Sequence, residues 1–225
     1  MQISKLTYLS YILDENTPTY GNRNKFSCEK KSDIFKGNVA NDSSINTTVH
    51  VGTHIDMPYH FFEDGQTIED FDIDYFRFEN ILFIDMTPES IIVKDDLIAI
   101  LKNIDKNNNY DMLIIKTGIC HKRDKTEFWE TNYGFDPSIA KHLRTNFPNI
   151  RVIGFDSVSI SSFTNRMLGR ESHKAFLDPK NPILLLEDMD LTMLNKDSKI
   201  IKLDIAPLRI SKCDGLPCTV IAEIK

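Results

Sequence analysis

The segment His50-Val51-Gly52-Thr53-His54-Ile55-Asp56-Met57-Pro58-Tyr59-His60 constrains this chain more than any other. It holds three of the six histidines together with an aspartate, and all four stand at even positions. Side chains alternate faces along an extended strand, so His50, His54 and Asp56 share one face with Gly52, while Val51, Thr53, Ile55 and Met57 line the other. A straight strand would hold His50 and Asp56 roughly 20 Å apart at 3.3 Å per residue. A bend is therefore required, and Gly52 permits one. Pro58 then forces a turn that swings His60 back over the same place. His50 and His54 are also one helical turn apart. Against a helix stand the β-branched Thr47, Thr48, Val49, Val51, Thr53 and Ile55, with interruptions at Gly52 and Pro58. A lone histidine is usually a core or surface group. The set His-x3-His-x-Asp-x3-His on one face is instead the imidazole and carboxylate chemistry that divalent zinc or manganese prefers.

The rest of the chain supplies an ordinary globular setting for such a site. With 225 residues, 41% hydrophobic and 27% charged, it is expected to form one soluble domain, 1–225, with a substantial core. The net charge of −6 and the lack of basic runs exclude a nucleic-acid partner from the expectations. No apolar run reaches the length of a membrane span, so no membrane partner is expected. Met1-Gln2-Ile3-Ser4-Lys5-Leu6 lacks the pattern of a secretory leader. Cys28, Cys120, Cys213 and Cys218 show no CxxC spacing and suit reduced thiols in a cytoplasmic protein. Cys213 and Cys218 flank a turn and are expected to stay unpaired.

Along the chain, Leu6 to Leu13 predicts a first strand. Tyr20 to Ser43 is polar and predicts a long loop or hairpin arm over the surface, and Glu63-Asp64-Gly65 predicts a turn. From Asn80 onward strands and helices alternate. Ile81 to Asp85, Met112 to Ile115, Val152 to Phe155 and Ile183 to Leu186 predict buried strands. Lys94 to Ile104 and the segment opened by Asp136-Pro137 predict helices, and this alternation implies parallel, crossover-connected pairing. Ile200 to Ile210 and Cys218 to Ile224 predict a closing hairpin around Cys213-Asp214-Gly215. One mixed α/β domain is the economical reading.

The first segment alone does not complete a metal site. Glu187 closes the apolar run Ile183 to Leu186, so it delivers a carboxylate from the end of a buried strand, which is costly unless paired, hydrogen-bonded or metal-bound. The bland alternative is an exposed strand-end acid. His173 falls in Glu171-Ser172-His173-Lys174-Ala175-Phe176-Leu177, a predicted helix, and would by itself be a surface or core residue. His121 and His142 stand among charged neighbours and are read as surface residues.

These residues carry a resemblance. The chain resembles the cyclase-like metal hydrolase family, which includes bacterial kynurenine formamidase and isatin hydrolase. Its signature, His, any residue, Gly-Thr-His, any residue, Asp, any residue, Pro, any residue, His, is matched by His50 through His60 at every fixed position. Thr17-Pro18-Thr19-Tyr20, Gly154-Phe155-Asp156-Ser157 with Ser159, and Ala206-Pro207-Leu208-Arg209 with Asp214-Gly215 are similar to further family segments. The resemblance implies a compact α/β domain with a β-barrel-like central sheet and flanking helices, assembled as a homodimer or homotetramer. It implies a first metal on His50, His54 and Asp56. Asp56 would bridge to a second metal on His173 and Glu187, and His60 would be the general acid/base. Two divalent ions are implied, Zn2+ or else Mn2+. Tyr20 takes the place of a substrate-lining aromatic residue that is usually Trp in the formamidases, and Ile160 stands where an acidic residue is usual.

The expected function is metal-dependent hydrolysis of a small-molecule amide, an arylformamide such as N-formylkynurenine or a cyclic amide. Two other classes compete. A non-haem iron oxygenase could use His54, Asp56 and a distant histidine as a facial triad, but it explains neither His50 nor His60. A metal- or ligand-binding protein without turnover leaves His60 without a role.

Overall fold

The apolar runs of the middle of the chain form the parallel half of a nine-stranded mixed sheet in the computed structural model, which describes residues 4–225. In chain order the strands are β1 (Lys5–Tyr8), β2 (Ser27–Ser32), β3 (Asp42–Asn46), β4 (His54–Asp56), β5 (Arg77–Phe78), β6 (Ile81–Asp85) and β7 (Ile92–Val93). They continue with β8 (Met112–Lys116), β9 (Gly134–Phe135), β10 (Val152–Phe155), β11 (Leu184–Glu187), β12 (Ile200–Pro207) and β13 (Gly215–Ile224). The helices are α1 (Asp95–Lys102), α2 (Glu127–Glu130), α3 (Ser138–Asn146) and α4 (Arg166–Phe176).

Strands β6, β8, β10 and β11 lie side by side and parallel, with α1, α3 and α4 in the crossovers that parallel pairing demands. The direction then reverses. β11 pairs antiparallel with β4, and β4 with the start of β13. β13 runs on past β4 to pair with β12 and β1, and β5 finishes that side on β12. β12 also packs against β6, so the sheet curls into a nearly closed, barrel-like layer. The mixed α/β architecture expected from the sequence is therefore present, with flanking helices.

Helix α1 buries Leu97 and Leu101, and α3 buries Ile139, Ala140 and Leu143, the one-turn spacing of an apolar stripe. Helix α4 differs. Its buried face carries Gly169, Ser172 and His173 beside Phe176, so polar groups are packed inward where a core helix would place apolar ones.

Several sequence expectations need adjustment. The first strand stops at Tyr8: Leu9 is sunk in the core and still donates its N–H to the Val220 carbonyl, but the Val220 N–H returns to the Ser10 hydroxyl instead of the backbone, and Ser10 bridges to Met189. Strand β12 ends at Pro207 rather than Ile210. The arm between Tyr20 and Ser43 holds the β2–β3 hairpin, which pairs only with itself and is exposed. His121 lies at the surface, but His142 is half-buried beside Phe147 and Asn146, and burial lowers its pKa. All four cysteines are free. Among the described residues no helix is long and apolar enough to cross a membrane. The absence of a leader was read in part from Met1, Gln2 and Ile3, which lie outside the described residues.

Leu185 sits fully buried on β11, opposite Asp56 of β4 and Ile153 of β10. Leu185→Ala is expected to cost about 2–5 kcal/mol of stability in urea unfolding, through lost transfer energy and the cavity left behind. An unchanged midpoint would show that the centre of the sheet does not depend on this strand.

Candidate metal centre

Strand β4 is three residues long, and its two neighbours set the site. Glu187 of β11 lies directly opposite His54, while Asp56 lies opposite Leu185 on one side and Gly215 of β13 on the other. Residues directly opposite one another point to the same face. His54, Asp56 and Glu187 therefore converge by register alone. The extended reading of the signature holds only for His54 to Asp56, because residues 49–53 bend. Gly52 makes that bend with a left-handed φ of 59°, and a Cβ on it would lie 2.3 Å from Leu13 Cδ2. The bend folds His50 back over β4, into space that Gly215 leaves open. A Cβ at Gly215 would stand 2.4 Å from His50 Cε1.

The remaining histidines arrive from short helical segments. Pro58 opens a 3-10 turn ending at His60, as its position predicts. His173 projects from α4, one turn beyond Gly169. Gly169 lets the helix lie against the loop after β10, since a Cβ there would fall 1.9 Å from Ser161 Oγ.

The resulting cluster is dense. His54, Asp56, His173 and Glu187 are each no more than 5% exposed. His54 donates Nδ1–H to the Gly52 carbonyl and His173 donates Nδ1–H to the Gly169 carbonyl, both at 2.8 Å. Both rings thus turn Nε2 toward the carboxylates. His54 Nε2 lies 3.5 Å from Asp56 Oδ1 and 3.3 Å from Glu187 Oε2. His173 Nε2 lies 3.5 Å from Asp56 Oδ2 and 3.9 Å from Glu187 Oε1. His54 Nε2 is buried and has no hydrogen-bond partner among the protein atoms. A lone pair facing two carboxylates is repulsive unless positive charge lies between them.

The ionisation behaviour says the same. Burial works against charge on His54 and His173, yet Glu187 and Asp56 reverse it and raise both pKa values. His50 is held up to about 10, against burial, by Asp56 and Asp214. Burial pushes the Asp56 carboxyl up, but His50, His60 and His173 hold it well below the usual carboxylate range. Protons and a divalent cation answer the same demand for positive charge. Nitrogen and oxygen donors within reach of one another are a fitting set for the cation. Three overlapping groups have ligand atoms within 4.8 Å: His50, His54 and Asp56; Asp56, His60 and His173; and His50, His60 and Asp214.

The structure thus brings together all six residues singled out as ligands or acid/base: His50, His54, Asp56, His60, His173 and Glu187. Tyr20 is at the rim of the same cavity, which encloses about 260 Å3 above the cluster. Ile160 turns its side chain into the core, while its backbone N–H donates to Glu187 Oε1 at 2.8 Å. Asp214 was missed as a site residue. Its Oδ2 accepts from His50 Nε2 at 2.8 Å and from His60 Nδ1 at 3.0 Å. Those bonds hold its carboxyl well below the usual range. In the sequence it reads as the Asp of an Asp-Gly turn, and only the pairing of β13 with β4 places it here. Arg166 and Arg170 also line the cavity, and no motif in the sequence singled them out.

Residues 7–162 match the model of the family described as "Putative cyclase". The chain belongs to this cyclase family. Relatives include the kynurenine formamidase of Bacillus anthracis, 28% identical over 231 aligned positions that cover 98% of each chain. The kynurenine formamidase of Geobacillus thermodenitrificans strain NG80-2 is 28% identical over 211 positions, covering 93% of this chain and 92% of its own. Among solved structures, isatin hydrolase A from Labrenzia aggregata, bound to benzyl benzoate, shares the fold. Its TM-score is 0.79 at 18% identity, over 98% of this chain and 93% of that one.

Two substitutions test the cradle. Asp56→Ala is expected to lose bound metal, read by elemental analysis after gel filtration, and full occupancy would remove Asp56 from the ligand set. Gly215→Ala is expected to keep its far-UV circular dichroism but retain less metal, because the new methyl displaces the His50 ring. Normal metal content in that variant would show that His50 is not needed to hold the ion.

Proposed function

We propose that this cyclase-family member is a metal-dependent hydrolase of small-molecule amides, acting on carbon–nitrogen bonds other than peptide bonds. The reading rests on one observation. His54 Nε2 is buried without a partner between Asp56 and Glu187, at the floor of a cavity that His60 also lines. In this reading His50, His54 and Asp56 would hold one divalent ion, and His173 and Glu187, together with Asp56, would hold a second. Zinc or manganese suits the mixed imidazole and carboxylate set. When bound, such ions supply Lewis acidity toward a carbonyl and lower the pKa of water to about 7.

The chain's own residues supply the rest. Asp214 accepts the Nδ1–H of His60, which leaves His60 Nε2 free to act as a base in the cavity. His60 takes the proton released as water adds to the amide carbon. It returns that proton to the leaving nitrogen as the C–N bond breaks, giving a carboxylic acid and an amine. Tyr20, edge-on to Phe163 with ring centroids 5.3 Å apart, forms an aromatic wall against which a ring-bearing substrate packs. The names of the relatives support an arylformamide such as N-formylkynurenine, or a cyclic amide, as the substrate class. A homodimer or homotetramer in the cytoplasm is the accompanying reading. Exposed Tyr8, Ile12 and Leu208 near β1 support self-association. An iron oxygenase would leave the His50–Asp214–His60 arrangement unused, and a binding protein without turnover would have no need of it.

The test is formate or acid release by zinc- or manganese-loaded protein from N-formylkynurenine, isatin and formanilide. No turnover of any of them, with metal bound, would overturn the reading. His60→Ala is expected to keep its metal and its melting temperature while turnover falls about 10²–10⁴-fold. Loss of metal in parallel with activity would make His60 a ligand instead. Asp214→Asn is expected to lower turnover about 10–100-fold by loosening the orientation of His60.

A further inference from the structure

Three arginines around the metal cavity have no role in the chemistry above. Arg166 and Arg170 lie on α4, one helical turn apart, and His173 follows three residues later. At about 100° per residue, all three fall within about 60° of arc, so the helix presents both guanidinium groups on the side that carries His173. Both line the cavity above the cluster.

A second cavity of about 310 Å3 adjoins the first. It shares Tyr20, His50 and Arg166 with it, and adds Arg23, Asn24 and Thr48. None of its lining residues is acidic. Arg77, Arg123 and Arg151 each meet an aspartate within 4.0 Å, Asp204, Asp188 and Asp111, and Arg144 is spent on the backbone carbonyls of Ala175, Phe176 and Asn181. Among the described residues no carboxylate comes that close to Arg23, Arg166 or Arg170. Asp56 and Glu187, the acids of the inner cavity, already face histidines. In a chain of net charge −6, three unmatched guanidiniums around one cleft concentrate positive potential where a ligand enters.

We propose that the junction of the two cavities is an oxyanion subsite, in which Arg166, which lines both, Arg170 from the inner one and Arg23 from the other seat a carboxylate or phosphate group of the substrate while its amide reaches the His-Asp-Glu cluster. The substrate is then an acidic amide. Planar guanidinium forks bind either oxyanion through paired hydrogen bonds. Arg170 and Arg166 precede His173 along the helix axis by about 4.5 and 10.5 Å at 1.5 Å per residue. The oxyanion and the scissile amide are therefore separated by a spacer such as an aromatic ring, which fits against Tyr20. This specificity rests on the amide-hydrolase reading, and the experiment separates the two.

Metal-loaded wild type and the double variant Arg166→Gln/Arg170→Gln are assayed on 4-formamidobenzoate, 4-formamidophenyl phosphate and neutral formanilide. The wild type is expected to prefer at least one of the two anions over formanilide in kcat/KM, by about tenfold or more for each guanidinium engaged. The preference should collapse in the double variant, chiefly through KM of the anion, and return in part in Arg166→Lys/Arg170→Lys. Whichever anion is preferred identifies the group. No preference in the wild type, or the same preference in the double variant, overturns the subsite and leaves the hydrolase standing. If none of these formamides is hydrolysed, and N-formylkynurenine and isatin are not either, the hydrolase reading fails. Calorimetric binding of 4-formamidobenzoate and 4-formamidophenyl phosphate to the two proteins then decides the subsite alone. Affinity at least tenfold weaker in the double variant sustains it, and equal affinity overturns it.

Discussion

Everything around the site depends on the antiparallel seating of β4 between β11 and β13. That register sets His54 against Glu187 and Asp56 against Gly215, and so assembles opposite charges at one buried point. Burying carboxylates is expensive, and an ion pair in the interior repays the cost only when its geometry and hydrogen bonds are good. Here the cost is met by convergence. Asp56 faces His50, His54 and His173, and Glu187 faces His54, His173 and the Ile160 amide. A cation bound to the folded chain and not to the unfolded one stabilises the fold by mass action, so the metal centre and the middle of the sheet are one thermodynamic unit.

That unit is braced from outside. Asp188, the residue after Glu187, sits at a left-handed φ of 50° and receives Arg123 through two bonds of 2.9 and 2.7 Å. Its backbone N–H donates to Ser157, and its carbonyl accepts from Thr53 at 2.6 Å. The strand that delivers Glu187 is thereby tied to the bend that precedes His54. Arg144 of α3 donates to the carbonyls of Ala175 and Phe176 and fixes the end of α4 below His173. Such partners hold the ring and carboxylate orientations on which a metal site depends.

The parts that were legible in the sequence are those whose signal is local. A parity pattern over eleven residues marked His50, His54, Asp56 and His60, and short apolar runs marked β6, β8, β10 and β11. The sharpness of the bend at Gly52 was not legible in full, because it follows from the packing of Leu13 against a residue without a Cβ. His173 and Glu187 had weak local signals and gained their roles through family resemblance. Asp214 had none, since an Asp-Gly pair signals a turn and its contact with His50 spans 164 residues. The end of β1 was misjudged for a related reason. The apolar pattern runs on through Leu9, but the ladder to β13 breaks at Ser10, whose hydroxyl takes the Val220 N–H that a backbone carbonyl would otherwise accept.

The division of labour between sheet and helix follows from rigidity. Strand register fixes His54, Asp56 and Glu187 to backbone that cannot shift without breaking the centre of the sheet. Helix α4 is held at Gly169, His173 and its C-terminal carbonyls, but Arg166 and Arg170 are exposed at its first turns. Their side chains can be exchanged without leaving a buried group unpaired, whereas exchange of Asp56 or Glu187 strands buried histidines. In the proposed reading, the metal-binding groups therefore sit on the part of the fold least tolerant of change and the arginines proposed to choose the substrate on the part most tolerant. A hydrolase built this way could change substrate by altering the first turns of α4 and the turn at Tyr20, because neither is locked into the register that holds His54, Asp56 and Glu187.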